Sequence, residues 1–383
     1  MKKSTLYLIL LLTFTISNEI MAQNAPIQTI NWEGAAHLPR NLATSKYKGL
    51  AGAISGTSNG VLVVAGGNNF PELMPWLGGK KVYYNDIFIY KNDPDKSLTL
   101  LKERFKLPYN LAYAAVCSTV KGIIAVGGEN EQGLSKRVLL LTWLKEEGIL
   151  KTTFLPELPF AVTNAALTSV GNIIYLAGGE DEHGAIDQLL SLNLNRLNDG
   201  WTVQVKLPQP VSHTVLVSNG TNMLYLVGGR KRNEGSTSTL YQTVDAFHIP
   251  SHSWISKRPI PDALSAASGI FYEGQILLFS GDQGKTFNQT EGLIAAISQE
   301  ANPEKKEKLN QQKVRLQNAH PGFSKQVLVY DILSDEWKSL KTKLPVGPVT
   351  MNAVRMGDEV ILAGGEIKAG VRTDEILIGK IKK

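Results

Sequence analysis

The sequence predicts an all-β fold, a six-bladed β-propeller closed by a strand from the N-terminal region. Three observations carry that expectation. Six short apolar runs each end in two small residues: Gly66-Gly67, Gly127-Gly128, Gly178-Gly179, Gly228-Gly229, Ser280-Gly281 and Gly364-Gly365. A staggered series of a branched aliphatic residue and proline keeps step with them, at Leu38-Pro39, Leu107-Pro108, Leu158-Pro159, Leu207-Pro208, Ile260-Pro261 and Leu344-Pro345. Two markers in phase define an internal repeat, and the middle spacings lie near a ~50-residue blade period. The third observation concerns the ends. The last unit stops after its third strand, and the strand it lacks stands early in the chain, at Ile30-Asn31-Trp32 running to Leu38-Pro39. Exchanging that strand closes a ring, and sheets stacked radially in a ring bury both their faces.

The elements follow in order. Residues 1–22 read as an export signal: Lys2-Lys3, an apolar stretch over 6–16, then Ile20-Met21-Ala22 as a cleavage site. The stretch is too short to span a bilayer. Two segments are therefore expected, the signal at 1–22 and one propeller at 23–383. The third repeat shows the blade most clearly. Residues 165–167 lead to a Gly171-Asn172 turn, and 173–177 form a buried strand ending at the glycine pair. Residues 186–192 make a third strand, and 201–204 run to Leu207-Pro208 as the outer one. The runs before the glycine pairs lack polar alternation, which suits strands covered on both faces.

Two blades carry insertions. Residues 68–84 hold prolines, glycines and aromatics and are expected to be a shaped loop, neither helix nor strand. The second, at about 285–325 in the fifth blade, reads as helical. Asn302 is placed to cap a helix with Pro303 at its first position, and Leu309 and Leu316 share a face. A shorter helix over 291–299 precedes it. Both insertions leave just after a pair of small residues, so both project from one face of the ring. They are either surface elaborations or a wall or lid over an axial pocket.

Composition narrows the classes. The formal charge is +6, spread through the chain, and the densest charged run, 304–315, mixes both signs. Without a like-signed patch, nucleic acid is not an expected partner. Cys117, in an apolar strand context, is the one cysteine, so no intramolecular disulfide forms. It reads as a small buried hydrophobe. No stable membrane anchor is expected, since no cysteine marks the cleavage site for lipidation and no later run is long and apolar enough to span a bilayer.

In a propeller, the residue after each pair of small residues faces the axis. Those residues are Asn68, Glu129, Glu180, Arg230, Asp282 and Glu366. Six polar groups converging on one funnel suit a small polar ligand. The six histidines lack ligand spacing apart from His248 and His252, which flank a turn, and there is no Gly-x-Ser-x-Gly nucleophile elbow. No metal site is expected. Acid–base chemistry or binding alone remains.

The repeat resembles the kelch family over nearly all of the chain after residue 27. The last blade is more specific. Gly364-Gly365-Glu366, with Arg372-Thr373-Asp374 beyond, resembles the motif of the sialic acid mutarotases, also called N-acetylneuraminate epimerases. Gly66-Gly67-Asn68-Asn69-Phe70 with Gly79-Lys80-Lys81-Val82-Tyr83-Tyr84, and Thr286-Phe287-Asn288, are similar to further stretches of that family. The order of the blades differs: the Glu…Arg-Thr-Asp blade comes last here and the Lys-Lys blade first. In a closed ring they remain neighbours, which resembles a cyclically permuted branch. The resemblance implies a mutarotase without a cofactor, with Glu366 as catalytic base. It implies that Arg372 grips the sugar carboxylate and that Lys80, Lys81, Arg230 and Asn68 assist in binding. Trp76 and Tyr83 wall the pocket or pack the loop, and Asp374 is structural. The implied partner is an acidic sugar, N-acetylneuraminate, met in the periplasm. A non-catalytic glycan-binding or protein-interaction propeller is the alternative. Glycoside hydrolysis, pairing Glu366 with Glu129 or Glu180, is a third reading. Monomer and homodimer both stay open.

Overall fold

The computed structural model describes residues 26–39, 49–92 and 98–383. The expected export signal at 1–22 lies outside them. Six antiparallel sheets stand around one axis, and their innermost strands neighbour one another in turn, the last beside the first. The third blade places its strands at Ala166–Val170, Ile173–Ala177, Leu189–Asn193 and Thr202–Val203. The third strand starts only at Leu189 because the Ile186 N–H is taken by the Gly179 carbonyl, 3.0 Å away, in the preceding turn. The second strand of each blade is the buried one, as in Val61–Ala65 and Gly122–Val126. Sheet packs on sheet through Val, Ile and Leu, so each core cluster joins two neighbouring blades.

The ring closes as expected. Thr29–His37 pairs antiparallel with Glu375–Lys382, setting Ile30 opposite Ile381 and Trp32 opposite Gly379. A Cβ at Gly379 would lie 2.6 Å from the Trp32 ring. That glycine lets the indole fold over the sheet and meet Phe279 edge to face at 5.8 Å.

The paired small residues have a single physical cause. Gly178 sits at φ +59, and a Cβ there would be 2.2 Å from the carbonyl of Val211 in the next blade. That carbonyl accepts the N–H of Gly179 at 2.9 Å. The same bond runs from Gly67 to Leu111, Gly128 to Val162 and Gly229 to Leu264, and from Gly365 back to Leu50 across the closure. Each of these five glycine pairs thus stitches its blade to the next. Ser280 holds the first position of its pair at φ +62 without being glycine.

A second ring runs around the axis. Gly52, Tyr113, Asn164, His213, Ala266 and Thr350 all have left-handed backbones, with φ between +51 and +64. Each of these residues donates its N–H to the carbonyl of the preceding one, and Gly52 donates to Thr350, closing a circle of six hydrogen bonds. Left-handed conformations cost non-glycine residues energy; here the circle offsets that cost by satisfying twelve backbone groups.

The insertions are more regular than the sequence suggests. Residues 68–84 contain a hairpin, Asn68–Asn69 paired with Val82–Tyr83, around a 3-10 turn at Pro75–Leu77. The expectation of neither helix nor strand is corrected, because every other blade but the fifth has the same short hairpin after its glycine pair. The insertion only lengthens its tip. The fifth blade carries two helices instead, α1 (Lys285–Gln299) and α2 (Pro303–Asn318). α1 starts earlier than residue 291, directly after Gly284 at φ +80. Asn302 caps α2 by accepting the Lys305 N–H at 3.0 Å.

Candidate active site

The hairpins and the two helices enclose an axial cavity of about 320 Å³, within the ~300–1,000 Å³ range of small-molecule sites. Five of the six residues that follow the paired small residues line it: Glu129, Glu180, Arg230, Asp282 and Glu366. Each is held by a backbone bridge to its own blade, Ala112 to Glu129, Thr163 to Glu180, Ser212 to Arg230, Ser265 to Asp282 and Val349 to Glu366. These five residues are therefore positioned by the sheets.

The sixth, Asn68, is fully buried. Its amide donates to the Ala51 carbonyl at 2.9 Å and its Oδ1 accepts from the Tyr113 hydroxyl at 3.4 Å. Tyr113 takes the wall in its place, so Asn68 is corrected from a binding residue to a structural one. Lys80 is also corrected: it is exposed and off the wall. Successive residues of an extended segment face opposite ways, and the wall takes Lys81. Lys81 Nζ is 2.9 Å from Glu129 Oε1, which also accepts the Tyr83 hydroxyl at 2.7 Å. Burial works against the Lys81 charge, but Tyr113 and Glu129 outweigh it and hold the ammonium above its ordinary value. Burial and the bond to Glu129 push Tyr83 up to about 12.

Glu366 and Arg372 meet across their short hairpin. Arg372 Nη2 lies 3.0 Å from Glu366 Oε2, with the arginine side chain only 3 % exposed. Its guanidinium stacks on Phe70 at 4.6 Å, and Glu366 Oε1 accepts the Gly370 N–H at 3.0 Å. Arg372 does not reach the cavity wall. The expected grip of Arg372 on a ligand carboxylate is therefore corrected: Glu366 lies between the arginine and the cavity, and the arginine orients the Glu366 carboxylate.

The guanidinium that does face the cavity is that of Arg230. Its guanidinium lies over Phe287 of α1 at 4.4 Å, and its Nη2 is 3.4 Å from His213 Nε2. Burial first, and then Arg230, holds His213 well below its ordinary value, so the ring is neutral. A guanidinium only donates, so Nε2 accepts and Nδ1 carries the proton. Nδ1 lies 3.1 Å from Ser212 Oγ, which donates to Glu180 Oε1 at 2.7 Å. Arg230 is thus seated on a four-member chain ending in a carboxylate.

The fifth-blade helices and the segment after α2 form a wall of the cavity, through Thr286, Phe287 and Gln317 on the helices and His320 and Phe323 beyond them. They are tied down at both ends. Glu291 accepts the Ser238 N–H at 2.6 Å and its hydroxyl at 2.8 Å, and Trp76 donates to Asn318 at 2.8 Å. Trp76 is thus a strut between the two insertions. Tyr113, Asn164, His213, Ala266 and Thr350 on the cavity floor were not singled out from the sequence. A faint signal was there: Gly52 precedes Gly66 by the same offset that separates Tyr113 from Gly127, Asn164 from Gly178, Ala266 from Ser280 and Thr350 from Gly364. Among the described residues, no group of three or more His, Cys, Asp or Glu is placed to hold a metal ion.

Comparison with known proteins gives a consistent picture. A family model described as N-acetylneuraminate epimerase matches residues 155–383. An N-acetylneuraminate epimerase of Brucella melitensis is 25 % identical over 251 residues, 64 % of this chain and 63 % of the relative. One from Vibrio vulnificus is 25 % identical over 226 residues, 58 % of each. One from Vibrio cholerae is 34 % identical over 122 residues, 29 % of this chain and 30 % of the relative. The chain thus spans less than two thirds of the length of the relatives it matches.

Proposed function

The chain belongs to the N-acetylneuraminate epimerase family, and we propose on that premise that it interconverts the α and β anomers of N-acetylneuraminate by opening and closing the sugar ring. The observation that carries this reading is Glu366: a carboxylate on the cavity wall, aimed by an ion pair from Arg372 and a backbone N–H from Gly370. Such a group is positioned to take the proton of the anomeric hydroxyl. As that proton leaves, C2 becomes a ketone and the bond from C2 to the ring oxygen breaks. Rotation about C2–C3 presents the other carbonyl face, and reclosure gives the other anomer. The protein's part in these steps is proton transfer between sugar and side chains.

The substrate is an anion, and Arg230 suits its carboxylate. The guanidinium lines the cavity, backed by the Phe287 ring and oriented through His213. A planar fork held in place pairs with a carboxylate through two parallel bonds. Lys81 adds positive charge on another part of the wall. The remaining wall of carboxylates, histidines and hydroxyls suits a polyhydroxylated sugar. The blade order, with Glu366 in the last blade and Lys81 in the first, supports a cyclic permutation of the family arrangement; a linear comparison that matches only part of both chains agrees with this. We also propose that residues 1–22 direct export to the periplasm, and that residues 23–383 form one propeller domain.

The test is proton NMR of α-N-acetylneuraminate freshly released by a sialidase. The C3 protons distinguish the anomers. The protein should hasten approach to the α/β equilibrium, and E366Q should not. An unchanged rate with broadened sugar signals would replace the enzyme with a binding propeller.

A further inference from the structure

We propose that Asp282 is the general acid of the reaction, the group that gives its proton to the ring oxygen while Glu366 takes the proton of the anomeric hydroxyl. This rests on the mutarotase reading above and supplies the half of the chemistry that Glu366 cannot perform.

The cavity holds four carboxylates, and their partners differ. Glu129 accepts from Lys81 and Tyr83, Glu180 accepts from Ser212, and Glu366 is paired with Arg372. Each receives a proton donor from a side chain, which suits an ionised acceptor. Among the described residues, Asp282 alone receives only a backbone N–H, from Gly284 at 2.8 Å. Among the described residues, it has no cation at ion-pair distance. Burial raises its carboxyl above the ordinary range, opposed by the Gly284 N–H, Arg230 and His320. Two carboxyl groups in one cavity, one ion-paired and one not, divide into base and acid.

The charged groups facing Asp282 are Arg230 from the fourth blade, His320 beyond α2 and, farther around the wall, Glu366 from the sixth blade. His320 does not compete for the acid role. Its Nδ1 accepts the Gly322 N–H at 3.0 Å, and burial keeps its ring below the ordinary value despite Asp282 and Glu366. A neutral imidazole that gave up its remaining proton would become an imidazolate, so His320 only donates a hydrogen bond. The step balances: Asp282 protonates the ring oxygen as the C2–O bond breaks, recovers that proton on reclosure, and Glu366 returns the other.

The test pairs a kinetic and a direct readout on the full chain. D282N keeps the shape and the acceptor for Gly284. Anomer exchange should fall by about 100-fold or more with little change in KM, and the alkaline limb of the pH profile should disappear. In carbon-13 carboxyl NMR, the resonance missing from D282N should titrate in the wild type above the ordinary aspartate range. D282N exchanging anomers at the wild-type rate, or Asp282 titrating at an ordinary value, overturns the acid assignment alone. A wild-type protein that exchanges no anomers overturns the mutarotase reading and the acid role with it, whatever Asp282 titrates at.

Discussion

Arg372 holds Glu366 from behind the cavity wall: its Nη2 is 3.0 Å from Glu366 Oε2, with 3 % of the arginine side chain exposed and 18 % of the glutamate's. In the proposed mechanism the pair is a base and its support, so its two members should fail differently on mutation. E366Q keeps the size of the side chain and should lose about 100-fold or more in anomer exchange while still binding sugar. R372A strands a half-buried carboxylate. It should lower stability by roughly 3 kcal/mol, the low end for a broken buried pair because Glu366 retains contact with the cavity. Urea unfolding of both variants beside NMR exchange rates checks this.

Arg230 should govern the choice between acidic and neutral sugars. R230A removes the only guanidinium on the cavity wall among the described residues, and a hydrogen bond to a charged group is worth about 1.5–3 kcal/mol. Binding of N-acetylneuraminate should weaken about 10- to 100-fold, and binding of its methyl ester far less. Calorimetry with both ligands measures the ratio. Equal losses would place carboxylate recognition elsewhere.

Acid should destabilise the fold through His213. Burial and Arg230 hold its folded pKa well below the unfolded value of 6.5, so below that pH the unfolded chain binds a proton that the folded protein refuses. Stability then falls as pH drops from about 6.5, by at most about 1.4 kcal/mol per pH unit for one group. His320 acts in the same direction. Asp282 acts oppositely, because its raised pKa stabilises the fold at low pH and that contribution is lost as pH rises through the folded value. Unfolding midpoints between pH 7 and 5 should fall less steeply in H213Q than in the wild type.

Ser280 is a built-in weak point. It stands at φ +62 where the other five blades have glycine, and its buried hydroxyl has no hydrogen-bond partner among the described residues. S280G removes both burdens and should stabilise the protein by about 1 kcal/mol. G178A is the converse: its Cβ would meet the Val211 carbonyl at 2.2 Å, and it should destabilise by several times as much. Thermal melts of the two variants should move in opposite directions.

Much of the fold was legible because a repeat states its rule six times. The glycine pairs read as the ends of buried strands; in the structure they are also the stitches between blades, and that needed the neighbouring carbonyls. The strand Thr29–His37 was placed from the missing piece of the last blade, and it pairs there. The hairpin hidden in residues 68–84 was not legible, because its paired segments are two residues long and carry no periodicity.

By itself the sequence determined the blade count, the closure and the residues that follow each pair of small residues, since these depend on local backbone chemistry repeated in register. Only the tertiary structure decided which of those side chains reach the cavity. Asn68 turns into the wall behind Tyr113, Arg372 retreats behind Glu366, and His213 and His320 arrive from segments with no motif. The reason is physical: a side chain's partner across the ring is set by the packing of distant blades, and neither spacing nor composition encodes that distance.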